Sequence, residues 1–452
     1  MFNDPMFQSF VMERPIAVMA QMAISRLLRS QTVDEVFAKT SQQQYERKLL
    51  FSSLTELMSD VVLGKQPSVN AAYRKLQDRM GVSLNAVYNK LDRVEPRISQ
   101  ALVRHSYQQV SEIRRDLGGN RQNDVPGYRT RILDGNHLSK TEHRLAETRD
   151  ITAAPLPGKC LAVLDPRFEA IVDYFPIEDG HAQERTAIDA LLETVQRNDL
   201  WVGDRNFCTL KLLYGIAKSN AAFVIRHHKQ LEGVGLGKRK KVGKCATGVV
   251  YERTMTLPAY DGRQITVRRI EIELKTPTRD GDRTLVILTN LPPEAADAFK
   301  IAEIYRDRWK IETAFQTLTV ALNCEVNTLC YPKAALFVFA LALVAYNAIA
   351  VVQAVIAREH GRLEAERMSH YYMALEISQA TDGMLIALPV ERWLDLAELP
   401  LSDYTSALRD VARGIDLHVY RKTTRGPKKQ KPKKKHQKNK VHVSVAKLLA
   451  LR

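Results

Sequence analysis

The sequence predicts an α/β protein in which a mixed sheet with helices on both faces is interrupted by a β-rich insertion and flanked by helical regions. Three observations predict it. Residues 1–120 carry apolar side chains at three- and four-residue spacing almost throughout. From Tyr128 the period turns to alternation, and from Glu294 helical spacing returns and holds to about Asp416. With 452 residues, 45% of them hydrophobic and 26% charged, the chain can bury full cores, which excludes a mini-protein, a collagen or a wholly disordered tail.

Taken in order, residues 1–120 read as helices over 17–28, 41–63, 69–80, 83–94 and 96–117. Within them, VNAAYRKLQDRMGVSLNAVYNKLDRV reads as helix, turn at Gly81, cap at Ser83 and second helix. This is the helix-turn-helix order, with Asn85, Asn89, Lys90 and Arg93 on the exposed side of the second helix as DNA contacts. An antiparallel hairpin of any helical bundle has the same pattern, and the basic charge of the chain favours the DNA-contacting version.

Residues 125–228 form the first part of the core. TRILDG is a strand, CLAVLDPRFEAIVDYF is two strands joined by an Asp165-Pro166-Arg167 turn, and 181–197 is a helix. LWVGDRNF is a fourth strand, 209–218 a helix and AAFVIRHH a fifth strand. Three strands in a meander, helix, strand, helix, strand is the order of the ribonuclease-H-like fold. The insertion, 229–290, is rich in Gly, Lys and Arg but holds the strands GVVYERTMTL, QITVRRIEIEL and RTLVILTN. Residues 291–358 complete the core with a helix running from Glu294 through Cys324 and a second, apolar one. That apolar helix carries no charge between Lys333 and Arg358 and is long enough to span a bilayer. Its alanines, its polar Tyr346, Asn347 and Gln353, and the lack of a second span argue for a buried helix of a soluble protein. Residues 359–420 are a helical C-terminal region, and 421–452 a basic tail too charged and proline-broken to pack.

The charge points to a polyanionic partner. Lys and Arg number 67 against 51 Asp and Glu, a net +16. Much of that excess lies between Arg421 and Lys440, where there are no acids. Five cysteines without a CxxC pair, and an N-terminus without a signal-peptide pattern, are the composition of a protein in a reducing compartment, so a cytoplasmic, nucleoid-associated location is expected.

Three carboxylates carry the expected chemistry. Asp134 ends the first strand, with Gly135 allowing a turn beside it, and Asp204 ends the fourth. In this strand order the first and fourth strands are neighbours, so the two carboxylates face each other, repel, and are relieved by a divalent cation. Glu312, on the returning helix, leans across the same edge. Two aspartates and a glutamate around two hard cations, Mg²⁺ or Mn²⁺, form a phosphoryl-transfer site that needs no side-chain nucleophile. Each carboxylate alone has an ordinary alternative, as a turn residue, an ion-pair partner or a solvated helix position. What distinguishes Glu312 is its company: Tyr305, Arg308 and Glu312 fall at i, i+3 and i+7, on one helix stripe. Arg308 offers a planar fork for phosphate and Tyr305 a hydroxyl and a ring.

At these residues the sequence resembles a DDE transposase of the IS-four insertion-sequence family, marked by Tyr, two residues, Arg, three residues, Glu, six residues, Lys. The match is Tyr305, Arg308 and Glu312 in IYRDRWKIETAFQTLT, with LDGNHL around Asp134 and VGDRNF around Asp204. Thr319 stands where the family has Lys and brings a hydroxyl but no charge to a DNA phosphate. The resemblance implies a cut-and-paste enzyme that cleaves element ends, in some members through a hairpin, and joins the freed 3′ ends to target DNA. It also implies a synaptic homodimer, insertion strands that help distort the DNA end, and Tyr305 and Arg308 holding the terminal phosphate. A second function class is a sequence-specific DNA-binding protein with a degenerate core, for which Thr319 is the motive. A third, a membrane-associated basic protein, is the weakest. Trp309, next to Arg308, is expected to pack beneath it rather than to stack on DNA. His227 and His228 are read as surface groups, and Asp165, Glu325, Cys324 and Cys330 as lying outside the site.

Overall fold

The computed structural model describes residues 4–44, 46–118, 121–278, 281–423 and 442–452; the lysine-rich part of the expected tail lies outside them. The strands are β1 (Arg129–His137), β2 (Ala154–Leu156), β3 (Lys159–Asp165), β4 (Ala170–Ile177), β5 (Asp199–Gly203) and β6 (Ala222–Arg226). They are followed by β7 (Gly235–Leu236), β8 (Lys240–Lys244), β9 (Gly248–Thr256), β10 (Thr266–Leu274), β11 (Thr284–Thr289) and β12 (His442–Ser444).

Among the described residues ten strands form one mixed sheet in the order β4-β3-β1-β5-β6-β11-β10-β9-β7, with β8 on β9. β1, β5 and β6 are parallel neighbours, and the other pairings are antiparallel. The first and fourth strands expected from the sequence, here β1 and β5, are therefore adjacent. The strands of 229–290 continue the same sheet, because β11 pairs with β6.

Alternation sends successive side chains to opposite faces. Ile132, Ala162, Leu164, Val202 and Val224 face one core, while Leu133, Leu161, Val163, Trp201 and Phe223 face the other. The first face is covered by the apolar helix Pro332–His360 and the N-terminal helices. That helix meets the length and composition of a membrane span, yet 94% of its most apolar window is buried inside the protein. It packs against the helices Pro96–Leu117, Pro15–Leu27, Leu401–Arg413 and Phe51–Val62 and forms the centre of the fold. Each large side chain buried along it contributes about 1.5–3 kcal/mol.

Several elements differ from expectation for identifiable reasons. The helix expected over 41–63 starts only at Phe51; before it, the Glu95 carboxylate accepts the backbone N–H groups of Gln42, Gln43 and Gln44 at 3.0, 2.8 and 2.9 Å and ties this stretch to the start of Pro96–Leu117. The expected helix 181–197 is a 3₁₀ turn, Glu184–Ala187, leading into the short helix Ile188–Leu192. The helix expected from Glu294 to Cys324 is two, Ala298–Asp307 and Trp309–Ala321, with the break at Arg308. There the N–H of Ile311 bonds the Arg308 carbonyl, an i→i+3 pairing that tightens the turn. Finally, 442–452 is not a free tail. β12 pairs in parallel with β2, the helix Val445–Leu449 follows, and Lys447 pairs with Asp179 at 3.1 Å.

Candidate active site

β1 and β5 run side by side with Ile132 opposite Val202. Asp134 and Asp204 stand two residues further along each, so parallel register brings them to the same level of the sheet. β5 ends at Gly203, and Asp204 caps the 3₁₀ turn Arg205–Phe207 by accepting the Asn206 N–H at 2.7 Å. The strand expected through Phe207 stops here because this side chain takes a donor that a ladder would use. β1, by contrast, continues past Asp134 to His137, with Gly135 opposite Leu161. Gly135 thus makes no turn, and its φ is not among the positive ones.

The third carboxylate arrives through Arg308. Its Nη1 donates to Asp134 Oδ2 at 3.0 Å and its Nη2 to Glu312 Oε1 at 2.5 Å. The guanidinium is buried and its Nε–H has no hydrogen-bond partner among the described residues. Burial pushes the Asp134 carboxyl up to about 7; Arg308 opposes that rise, while Asp204 and Glu312 add to it. Two carboxylates thus crowd Asp134, and the Arg308 guanidinium is the positive group that meets it.

Hard carboxylate oxygens suit Mg²⁺ or Mn²⁺, so the donor set fits the expected metals in chemistry. Among the described residues no group of three or more His, Cys, Asp or Glu is assembled closely enough to hold an ion. In this arrangement the guanidinium holds Asp134 and Glu312, one at each end of its fork.

Tyr305 is buried, and burial raises its phenol; its ring centre is 6.0 Å from the Arg308 guanidinium carbon. Trp309 corrects the expectation that it packs beneath Arg308: it is 60% exposed, its ring centre 5.8 Å from the guanidinium. It lines an open cavity of about 330 Å³ with Phe299, Tyr305 and, from the insertion strands, Ile272 and Leu274. Thr319 is exposed, and its hydroxyl turns back to the Phe315 and Gln316 carbonyls at 3.2 and 3.1 Å.

The helix pair near the N-terminus is formed as expected. Gly81, at φ 60°, ends Val69–Met80, and Ser83 Oγ accepts from the Ala86 N–H at 3.3 Å to start Leu84–Leu91. Asn85, Asn89 and Arg93 are exposed. Lys90 is held inward: its ammonium donates to the Leu49 carbonyl at 2.6 Å and lies 5.2 Å from the Phe37 ring centre.

The other candidates have structural partners. Asp165 accepts from Tyr107 at 2.6 Å and Arg131 at 2.7 Å, and Glu325 takes the Ser139 N–H at 2.7 Å. His227 Nε2 faces the Leu231 carbonyl at 2.7 Å and Nδ1 faces Arg269 at 3.2 Å, which ties β6 to the insertion. Cys324 and Cys330 are buried free thiols. Two residues that sequence reasoning missed adjoin the aspartates. Glu184 packs against Gly135, and Asn206 bonds Asp204. The Asp-x-Asn spacing of Asp204 and Asn206 was a readable signal for the second.

Residues 126–348, which include Asp134, Asp204 and Glu312, match the family model of the transposase DDE domain. A search of curated proteins finds no match. Among solved structures, a cryo-EM structure of the piggyBac transposase synaptic complex with hairpin DNA aligns over 87% of this chain and 85% of that chain. Its identity is 10% and its TM-score 0.38, too loose a likeness to carry an argument. The match to the transposase DDE domain, with all three carboxylates inside it, supports a DDE-type transposase.

Proposed function

We propose that the chain is a metal-dependent cut-and-paste transposase of an insertion sequence of the IS-four type, built on a ribonuclease-H-like core. Its partners on this reading are the element's terminal inverted repeats, target DNA and a second copy of the chain in the synapse. The observation that carries it is the Asp134–Arg308–Glu312 bridge beside Asp204, inside the DDE match. Asp134, Asp204 and Glu312 would hold the cations. When bound, two Mg²⁺ or Mn²⁺ ions supply activation of a water or 3′-hydroxyl and stabilisation of the leaving oxygen.

The chain's own residues supply positioning. Arg308 ties Asp134 to Glu312 through its two Nη groups, and a DNA phosphate would compete with these carboxylates for that planar fork. Tyr305 backs that fork from below. Trp309, with its ring in the open beside the fork, offers a stacking surface for a base at the DNA end. The insertion strands wall the same cavity, and on this reading they hold a distorted end. Asn85, Asn89 and Arg93 present polar groups for recognition of the end sequence, with Lys90 in support of the Leu49 turn.

The test is cleavage of a labelled duplex carrying the element's own end sequence, with Mg²⁺ or Mn²⁺ and with EDTA. Wild type should cut only with metal, and Asp134→Ala, Asp204→Ala and Glu312→Ala should bind the end but not cut it. A variant that still cuts removes its residue from the site. Thr319, whose hydroxyl is spent on its own helix, favours the second reading, a DNA-binding protein with a degenerate core. End-specific binding by wild type without cutting at any metal concentration would establish that reading instead.

A further inference from the structure

A side chain on the far face of the sheet links the two aspartate motifs. Glu184 opens the 3₁₀ turn Glu184–Ala187 and is mostly buried. A Cβ placed on Gly135 would stand 2.5 Å from Glu184 Cδ, 2.6 Å from its Oε1 and 2.7 Å from its Cγ. Real Cβ atoms do not approach so closely, so the carboxyl group of Glu184 fills the place a side chain at 135 would take. Gly135 follows Asp134 in β1, and its side-chain direction is opposite to that of Asp134. Glu184 therefore touches no reacting group.

It reaches the second aspartate through Asn206. Glu184 Oε2 accepts from Asn206 Nδ2 at 3.5 Å, while the next residue, Arg185, donates from Nε to the Asn206 carbonyl at 2.9 Å. Asn206 in turn donates its N–H to Asp204 Oδ1 at 2.7 Å. One turn thus holds Asn206 by its carbonyl and reaches its side chain through a longer contact, and the Asn206 backbone N–H sets the Asp204 carboxylate. The same carboxyl group rests on β1 one residue beyond Asp134. His137 Nε2, 3.7 Å from Glu184 Oε1, approaches it from the third side.

We infer that Glu184 is a positioning residue that fixes the spacing between the Asp134 strand and the Asp204 turn, and that Gly135 is glycine to admit it. This rests on the proposed role of Asp134 and Asp204 as metal ligands. Partners of this kind around a metal site typically change metal affinity or activity by about 10- to 100-fold when removed.

The experiment measures end cleavage as a function of Mn²⁺ concentration, together with Mn²⁺ binding to the protein–DNA complex by electron paramagnetic resonance. The variants are Glu184→Ala, Glu184→Gln, Asn206→Ala, Gly135→Ala and Gly135→Ala/Glu184→Ala. Glu184→Ala and Asn206→Ala should each raise the Mn²⁺ requirement by about tenfold or more. Glu184→Gln, whose side-chain oxygen still accepts from Asn206, should stay within about threefold of wild type. Gly135→Ala should push the Glu184 carboxyl aside, an inexpensive move for the end of a flexible side chain, and raise the Mn²⁺ requirement in the same direction as Glu184→Ala but by less, while the double variant should be no worse than Glu184→Ala alone, because the clash has gone. If Glu184→Ala fails to fold on thermal melting, Asn206→Ala and Gly135→Ala decide the question in its place. Unchanged Mn²⁺ binding and cleavage in the folded variants overturns the inference. Asp204→Ala separates the two levels: if it still cuts, the metal-ligand reading fails, whereas a dead Asp204→Ala beside a normal Glu184→Ala sinks only the role of Glu184.

Discussion

Asn347→Leu isolates what makes the apolar helix Pro332–His360 a core helix. Asn347 is fully buried at its middle, and its amide serves the bulged strand β4. Oδ1 accepts the Ile171 N–H at 2.7 Å, while Nδ2 donates to the Ile171 carbonyl at 3.0 Å and to Ser106 Oγ at 2.8 Å. β4 is the outer strand of the sheet, and its pairing with β3 shifts register between Val163 and Leu164. Asn347 thus acts as the missing strand at a bulge. Leu has similar bulk but no polar atoms, so it orphans one buried N–H and one buried carbonyl. At roughly 1–3 kcal/mol for each unsatisfied group, the loss is about 2–6 kcal/mol. Ser106 contributes little to that sum, since its hydroxyl still donates to Val103 at 2.8 Å. Urea unfolding followed by tryptophan fluorescence should show the midpoint fall at an unchanged slope. A helix crossing a bilayer would respond in the opposite sense, because Leu is among the residues most favoured there. An unchanged or raised midpoint would refute the idea that these three bonds hold the helix to the sheet.

Other outcomes follow from the same structure. Trp309→Ala should leave the melting temperature nearly unchanged, the side chain being 60% exposed, but weaken end binding by about 1–3 kcal/mol in a titration; a large drop in melting would return it to the core. The Asp134 carboxyl, at about 7 in the folded protein, lies above its ordinary value, so the metal-free fold binds its proton more tightly than the unfolded chain does. That contribution is fully present at low pH and is lost as pH rises through about 7. The difference in stability between wild type and Asp134→Asn should therefore vary with pH across this window, and a flat difference would contradict it. Lys65 is buried 3.4 Å from Asp60, which also meets Lys75 at 3.4 Å. Asp60→Asn should cost about 3–5 kcal/mol in chemical denaturation by stranding Lys65, whereas Lys65→Met should be close to neutral.

The parts of the fold legible in the sequence are those whose signals are local. Gly81 and Ser83 mark a stop and a start that depend only on their own φ and side chain, and the helix Val69–Met80 falls where its spacing placed it. β1 and β5 are readable as alternation, and their adjacency as strand order, so the neighbourhood of Asp134 and Asp204 is legible with them. What escaped depends on partners distant in the chain. The stretch before Phe51 is tied through the N–H groups of Gln42, Gln43 and Gln44 to Glu95, about fifty residues on. The exposure of Trp309 follows from the break at Arg308, where the guanidinium is pulled toward a strand 174 positions earlier. Glu184 sits in a turn without periodicity, and Gly135 looked like a turn residue because the side chain that fills its space lies far along the chain in a segment with no motif. The lysine-rich β8 was hidden by a composition that reads as loop.

The docking of β12 on β2 has a topological consequence. The three-residue β12 belongs to the same chain as β2, so their pairing is an intramolecular event. Such a pair forms at the effective concentration that the chain connection sets, not at the bulk concentration of the protein. A break in the chain between Thr423 and His442 would turn the pair bimolecular. At micromolar protein a strand and a helix of this size would then leave the core, taking Lys447 from Asp179 and His442 from His181.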